Sequence, residues 1–99
     1  MSLIRIVRMV FKEEKVPKFL EQFHDHKEKI RHFPGCNHLE LWQDAGSKNI
    51  FLTYSVWEDH QALEQYRDSE LFKSVWAKTK PLFEEKPIAF SSKKLTEVA

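Results

Sequence analysis

Residues 50–57 read IFLTYSVW, and Glu58 to Trp76 read EDHQALEQYRDSELFKSVW. The first eight residues are the clearest strand in the chain, rich in β-branched and aromatic residues and free of glycine and proline. Strand alternation puts Phe51, Thr53, Ser55 and Trp57 on one face, and Ile50, Leu52, Tyr54 and Val56 on the other. Asp59 then has the character of an N-cap for a short helix, His60 to Tyr66. Arg67-Asp68-Ser69-Glu70 interrupts that helix, and Asp68 or Ser69 caps a second piece. Leu71, Phe72, Val75, Trp76, Thr79, Leu82 and Phe83 line one side of it, and Pro81 kinks or ends it. Tyr66 and Trp76 therefore come from the two halves of a broken helix.

Upstream, Asp44 to Asn49 is a turn, and Cys36 to Gln43 (CNHLELWQ) is a strand. The two strands form a hairpin whose register the sequence leaves open. Leu3 to Phe11 is a further strand with two apolar faces: Leu3, Val7, Met9 and Phe11 on one, Ile4, Ile6 and Val10 on the other. From about Glu14 to His32, the residues Val16, Phe19, Leu20, Phe23 and Ile30 recur at helical spacing, with Pro17 in the first turn. Phe33-Pro34-Gly35 stops this helix. Pro87 precedes a last strand, about Ile88 to Leu95. The order is β-α-β-β-α-β in a single domain over residues 1–99. It predicts an α+β, ferredoxin-like fold: a four-stranded antiparallel sheet with both helices on one face.

That arrangement leaves Ile4, Ile6, Val10, Ile50, Leu52, Tyr54 and Val56 on the uncovered face, an apolar patch that a second copy would cover in a two-fold homodimer. Charge points to no polyanionic partner: 16 Lys and Arg stand against 15 Asp and Glu, net +1. No run approaches the length of a membrane span. The opening MSLIRIVRMVF carries arginines inside its apolar run, unlike a signal peptide. Cys36 is the single cysteine, so no internal disulfide forms. The expectation is a soluble, cytoplasmic protein, without nucleic-acid or membrane partners.

Five histidines raise the question of a metal, but none is spaced as a ligand pair: His24 and His26 point to different sides of a helix, and no H-x-x-x-H or C-x-x-C is present. No metal is expected. Nothing marks Cys36 as a nucleophile, and the G-x-S-x-G, P-loop and G-x-G-x-x-G motifs are absent. What remains is aromatic. Trp57, Tyr66 and Trp76 converge where sheet meets helices. Aromatic residues there are most often core. The functional alternative is an apolar cleft with a few polar groups: Thr53, Ser55, the Tyr66 hydroxyl and, if its side chain turns inward, His38. Arg5 shares the face of Val7. It could hold an anionic ligand group or pair with a helix carboxylate.

The segments GCNHLELWQD and NIFLTYSVWEDHQALEQYRDSELFKSVW resemble the antibiotic biosynthesis monooxygenase family of small dimeric α+β-barrel proteins, and the similarity covers nearly the whole chain. The resemblance implies a dimeric α+β barrel. Family members include oxygenases that use no metal or flavin and oxidise phenols or quinols, and others that degrade haem. The polyketide-oxidising members use an Asn, a Trp and a Tyr; the matching positions here hold Thr53, Trp57 and Leu63. The haem-degrading members use an Asn, a Trp and a His, and those positions hold Val7, Tyr66 and Trp76. The His pair that quinol-oxidising relatives often carry, near Tyr66 and Leu71, is also missing.

The resemblance therefore implies a cofactor-independent monooxygenase acting on a small phenolic, quinol or polycyclic aromatic substrate. In that reading Trp57, Thr53, Tyr66 and His38 are catalytic: Trp57 stacks on the substrate with Trp76, Thr53 and Tyr66 bond its oxygens, and His38 takes the proton. Trp76, Val7, Arg5, Phe51 and Ser55 bind the substrate. The alternative is a non-catalytic dimeric module holding a metabolite in the same pocket. Haem degradation stands third, because tryptophan cannot ligate iron.

Overall fold

The computed structural model describes residues 2–99. It contains β1 (Leu3–Val10), α1 (Val16–Arg31), β2 (Cys36–Gln43), β3 (Ile50–Trp57), α2 (His60–Arg67), α3 (Glu70–Thr79) and β4 (Ile88–Ser92). The strands form one antiparallel sheet in the order β2-β3-β1-β4. The helices cover one face, so the ferredoxin-like α+β expectation holds. Short 3-10 turns lead into α1 at Glu13–Lys15 and out of α3 at Lys80–Leu82. Pro81 lies in the second, so α3 ends where its missing N–H would interrupt the helical ladder.

Local chemistry explains the joints. Gly35 follows α1 with φ +88°, a backbone region that costs a residue with a Cβ. It also sits against α2, where a Cβ at position 35 would lie 2.5 Å from Ala62 Cβ. Asp59 caps α2 by accepting from the Ala62 N–H at 2.8 Å. At the helix break the cap is Ser69. Its hydroxyl oxygen accepts from the Phe72 N–H at 3.1 Å and its O–H donates to the Tyr66 carbonyl. One hydroxyl thus ties the end of α2 to the start of α3. Asp68 instead forms the C-cap of α2. Ser69→Ala should lower stability by about 0.5–2 kcal/mol in urea titration, whereas Asp68→Ala should change it by less than about 0.5 kcal/mol. Equal losses would mean that the hydroxyl is not what joins the helices.

The core divides in two. One cluster gathers Leu3, Ile30, Cys36, Trp57, Ala62, Leu63 and Tyr66. The other gathers Met9, Phe11, Phe19, Phe51 and Leu82, with Phe11 stacked on Phe19 at 4.0 Å and on Phe83 at 5.2 Å.

Two sequence expectations need correction. Spacing puts Leu20 on the apolar stripe of α1, but it is 41% exposed while its neighbour Phe19 is buried. The last strand stops at Ser92, and Leu95 beyond it is 89% exposed. The uncovered sheet face carries Ile4, Ile6, Ile50, Leu52, Tyr54 and Val56, all half-buried, and Val10, which is buried. Registers that align Ile6 with Phe90, Arg8 with Ile88 and Trp42 with Leu52 add Trp42, Ile88 and Phe90 to this face, and all three are exposed.

Candidate functional site

Between sheet and helices lies a cleft of about 360 Å³ that borders both core clusters. Two rows of side chains cross the sheet beneath it. Thr53, Val7 and Ala89 align across β3, β1 and β4, and Ser55, Arg5 and Ser91 form the next row. Leu39 joins from β2, opposite Ser55. Of these, Arg5, Val7, Leu39, Thr53, Ser55 and Ala89 line the cleft.

A run of aromatic rings forms the other wall. Trp57 stacks on Tyr66 at 4.9 Å, Tyr66 meets the edge of Phe72 at 5.2 Å, and Phe72 stacks on Trp76 at 5.8 Å. The helix break at Ser69 places Tyr66 and Trp76 around the same space. Trp57 is the deepest of them, 1% exposed. Its indole N–H donates to Ser55 Oγ at 3.0 Å, and the Ser55 hydroxyl donates to the Arg5 carbonyl at 3.4 Å. Trp57 is thus a floor under Tyr66, with its donor already engaged.

Thr53, Trp57, Tyr66, Trp76, Val7, Arg5 and Ser55 all border the cleft. Two expected residues do not. Phe51 is 3% exposed and packs with Phe11 and Phe19 in the second core cluster. His38 points to the opposite face. Cys36 pairs with Trp57 and faces the helices, but an irregularity in the ladder between Cys36 and His38 inserts one residue. That bulge resets the alternation, so Leu39 and Leu41 turn inward while His38, Glu40 and Trp42 turn outward. On the outer face the Glu40 carboxylate accepts from both the His38 ring and the Trp42 indole N–H, and the His38 ring lies edge-on to Tyr54.

Sequence reasoning misses Arg67 and Phe72, which both line the cleft. Arg67 reads only as part of the helix break; no spacing rule marks a charged residue there as inward-facing. Arg5 makes no ion pair with a helix carboxylate; it donates to Ser91 Oγ at 3.2 Å. Partial burial lowers its pKa, and the nearby positive charge of Arg67 lowers it further, while Glu64 acts in the other direction.

Burial pushes the Tyr66 phenol well above its ordinary pKa, helped by the neighbouring Cys36. Tyr66 is therefore a neutral hydrogen-bond donor at physiological pH. Burial likewise raises the Cys36 thiol, whose sulfur lies 3.6 Å from the His38 carbonyl; this is the environment of an inert cysteine. Among the described residues no histidine, aspartate or glutamate lines the cleft, and no three His, Cys, Asp or Glu side chains converge as metal ligands. Among the described residues no helix is long and apolar enough to cross a membrane.

The sequence pattern of antibiotic biosynthesis monooxygenases matches residues 2–78. The chain belongs to this family. Solved structures share its fold at low identity. A conserved protein from Methanosarcina mazei Go1 superposes with a TM-score of 0.90 at 19% identity, over 95% of this chain and 93% of that one. Rv0793 from Mycobacterium tuberculosis gives 0.89 at 15% identity over the whole of both chains. A mutant form of SnoaB, a cofactor-independent oxygenase from Streptomyces nogalater, gives 0.86 at 14% identity over 98% of this chain and 96% of that one. No protein of curated function matches the chain. The family match ends before β4, so Pro87 and Ala89, which line the cleft, lie outside the matched segment.

Proposed function

We propose that the cleft oxidises a small electron-rich aromatic, a phenol or quinol, with dioxygen and without a cofactor. One observation carries this reading: in a chain of the monooxygenase family, Thr53 and Tyr66 line a largely apolar cleft of about 360 Å³ walled by aromatic rings. The chemistry needs a substrate whose ionised form passes an electron to oxygen. The protein supplies orientation, a dry surround and hydrogen bonds to the anion. Tyr66, neutral because buried, donates to the substrate oxygen, and Thr53 provides a second bond. Val7 and Trp76 hold the ring. With His38 on the outer face, no side chain in the cleft serves as base, so the substrate must ionise by itself.

Oxygen uptake with 1,4-dihydroxynaphthalene, in chelator-treated protein, should exceed the autoxidation rate. Tyr66→Phe should cut that excess by roughly 10- to 100-fold, the worth of one hydrogen bond to a charged oxygen, while the fold is kept. The rate should rise with pH along the ionisation of the substrate. If no phenol in a broad panel is oxidised, the cleft is a binding site only. A specific feature favours that second reading: Thr53 and Leu63 stand where the polyketide-oxidising relatives carry their Asn and Tyr.

The reading extends to assembly and location. Two copies pair through the uncovered sheet face, where Trp42, Ile88 and Phe90 are exposed beside Ile4, Ile6 and Leu52. A lone buried Cys36 suits the reducing cytoplasm.

A further inference from the structure

We infer that the ligand of this cleft carries a carboxylate, held between Arg5 and Arg67 at one end while its ring lies among Val7, Tyr66 and Trp76. This deepens the ligand-site reading above and rests on it.

Among the described residues nineteen line the cleft, and the only charged ones are Arg5 and Arg67. One comes from β1 and the other from the end of α2, yet they are close enough for the charge of Arg67 to act on Arg5. Both border the same cleft, and the positive charge of Arg67 weighs against that of Arg5, which is itself partly buried. The Glu64 carboxylate offsets this only in part. Glu64 is committed to Arg67 at 3.2 Å and approached by His60 at 3.9 Å, both on the exposed surface of α2. Arg5 makes only a neutral hydrogen bond, to Ser91 Oγ, which leaves most of its N–H donors free.

A ligand carboxylate relieves both problems at once. It neutralises the like-charge contact and accepts two parallel N–H bonds from a guanidinium fork. The half-buried setting of Arg5 screens that contact less than open water would. Two terms oppose it: the Glu64 carboxylate, which acts on Arg5 and pairs with Arg67, and the last turn of α2, where helix carbonyls repel an anion. The Glu64 carboxylate and the helix end, about half a unit, together remain smaller than the two full positive charges. The rest of the lining is apolar or aromatic apart from a few hydroxyls, so the ligand is a ring with one acidic group rather than a sugar.

Isothermal titration calorimetry of the intact protein with naphthalene-2-carboxylate and its uncharged isostere naphthalene-2-carboxamide tests this. The carboxylate should bind at least about 10-fold more tightly, the worth of a charge-assisted pair. Arg67→Gln, at a half-exposed side chain, should reduce that preference several-fold, weakening the carboxylate more than the carboxamide. Arg5→Gln should abolish the preference, and Arg5→Lys should restore only part of it, because lysine keeps the charge and loses the fork. Equal affinity for the two probes, or a preference that survives both glutamine variants, overturns the inference while the ligand site stands. Binding of neither probe overturns both. Tight carboxylate binding by a protein that oxidises no phenol in the panel supports the inference and removes the oxidation.

Discussion

Gly35→Ala should lose about 2–5 kcal/mol of stability, read as the denaturation midpoint at fixed protein concentration. Two costs add. A side chain in the left-handed backbone region costs roughly 1–2 kcal/mol. Forcing a methyl group into a packed contact costs roughly 1–3 kcal/mol more. Both apply because φ at Gly35 is +88° and its missing Cβ would lie 2.5 Å from Ala62 Cβ, far inside contact distance. The flexible end of a long side chain could swing away, but the obstructing atom is a Cβ fixed to helix α2. The Gly35 carbonyl also accepts from the Glu58 N–H at 2.8 Å, so backing the turn away would break a bond that joins it to the end of β3. Ala62→Gly should recover part of the loss in the double variant, since it removes the clash but not the strain. A loss below about 0.5 kcal/mol would show that the turn and the helix do not meet as described.

Ile6→Asp should convert the dimer we propose into a folded monomer. Ile6 lies at the middle of the uncovered face, between Tyr54 on β3 and Phe90 on β4. In a separate chain it is only half-buried, so a carboxylate there reaches water and the fold survives. In a sheet-to-sheet dimer it would be buried twice, once in each copy. An uncompensated buried charge costs about 3–5 kcal/mol, so two weaken the association by roughly 10⁴-fold or more. Arg8, two residues along on the same face, could compensate in part, which favours the lower end of that range. Sedimentation equilibrium at micromolar concentration should show a dimer for the natural sequence and a monomer for the variant. Leu20→Asp, on the exposed side of α1, should leave the dimer intact. A natural chain that sediments as a monomer would remove the pairing altogether.

Much of the fold is legible in the sequence because its signals are local. Both strands of the hairpin and the Asp59 cap follow from residue types within a few positions of one another. The cleft is legible only in part. Thr53, Ser55 and Trp57 follow from simple alternation along an unbroken strand. His38 does not, because one inserted residue reverses every face beyond it, and neither Asn37 nor its neighbours announce a bulge. Phe51 has the right face, but it lies at the end of β3 that packs against Phe11. Which end of a strand borders a cavity depends on helix placement, a long-range property. Arg67 is invisible for the same reason. The role of Trp57 also depends on depth: alternation gives its direction, but only packing shows that Tyr66 covers it.

The three tryptophans fall in three unlike surroundings, and this turns the chain into its own spectroscopic reporter. Trp57 is enclosed in the core with its indole N–H bonded to a serine hydroxyl; Trp42 lies 40% exposed on the outer sheet face with its N–H on Glu40; Trp76 is half-buried at the cleft wall. Emission from Trp57 responds to unfolding, from Trp42 to whatever covers the outer face, and from Trp76 to occupancy of the cleft. Variants that keep one indole at a time separate three equilibria that a single calorimetric or sedimentation signal would merge, without an added dye.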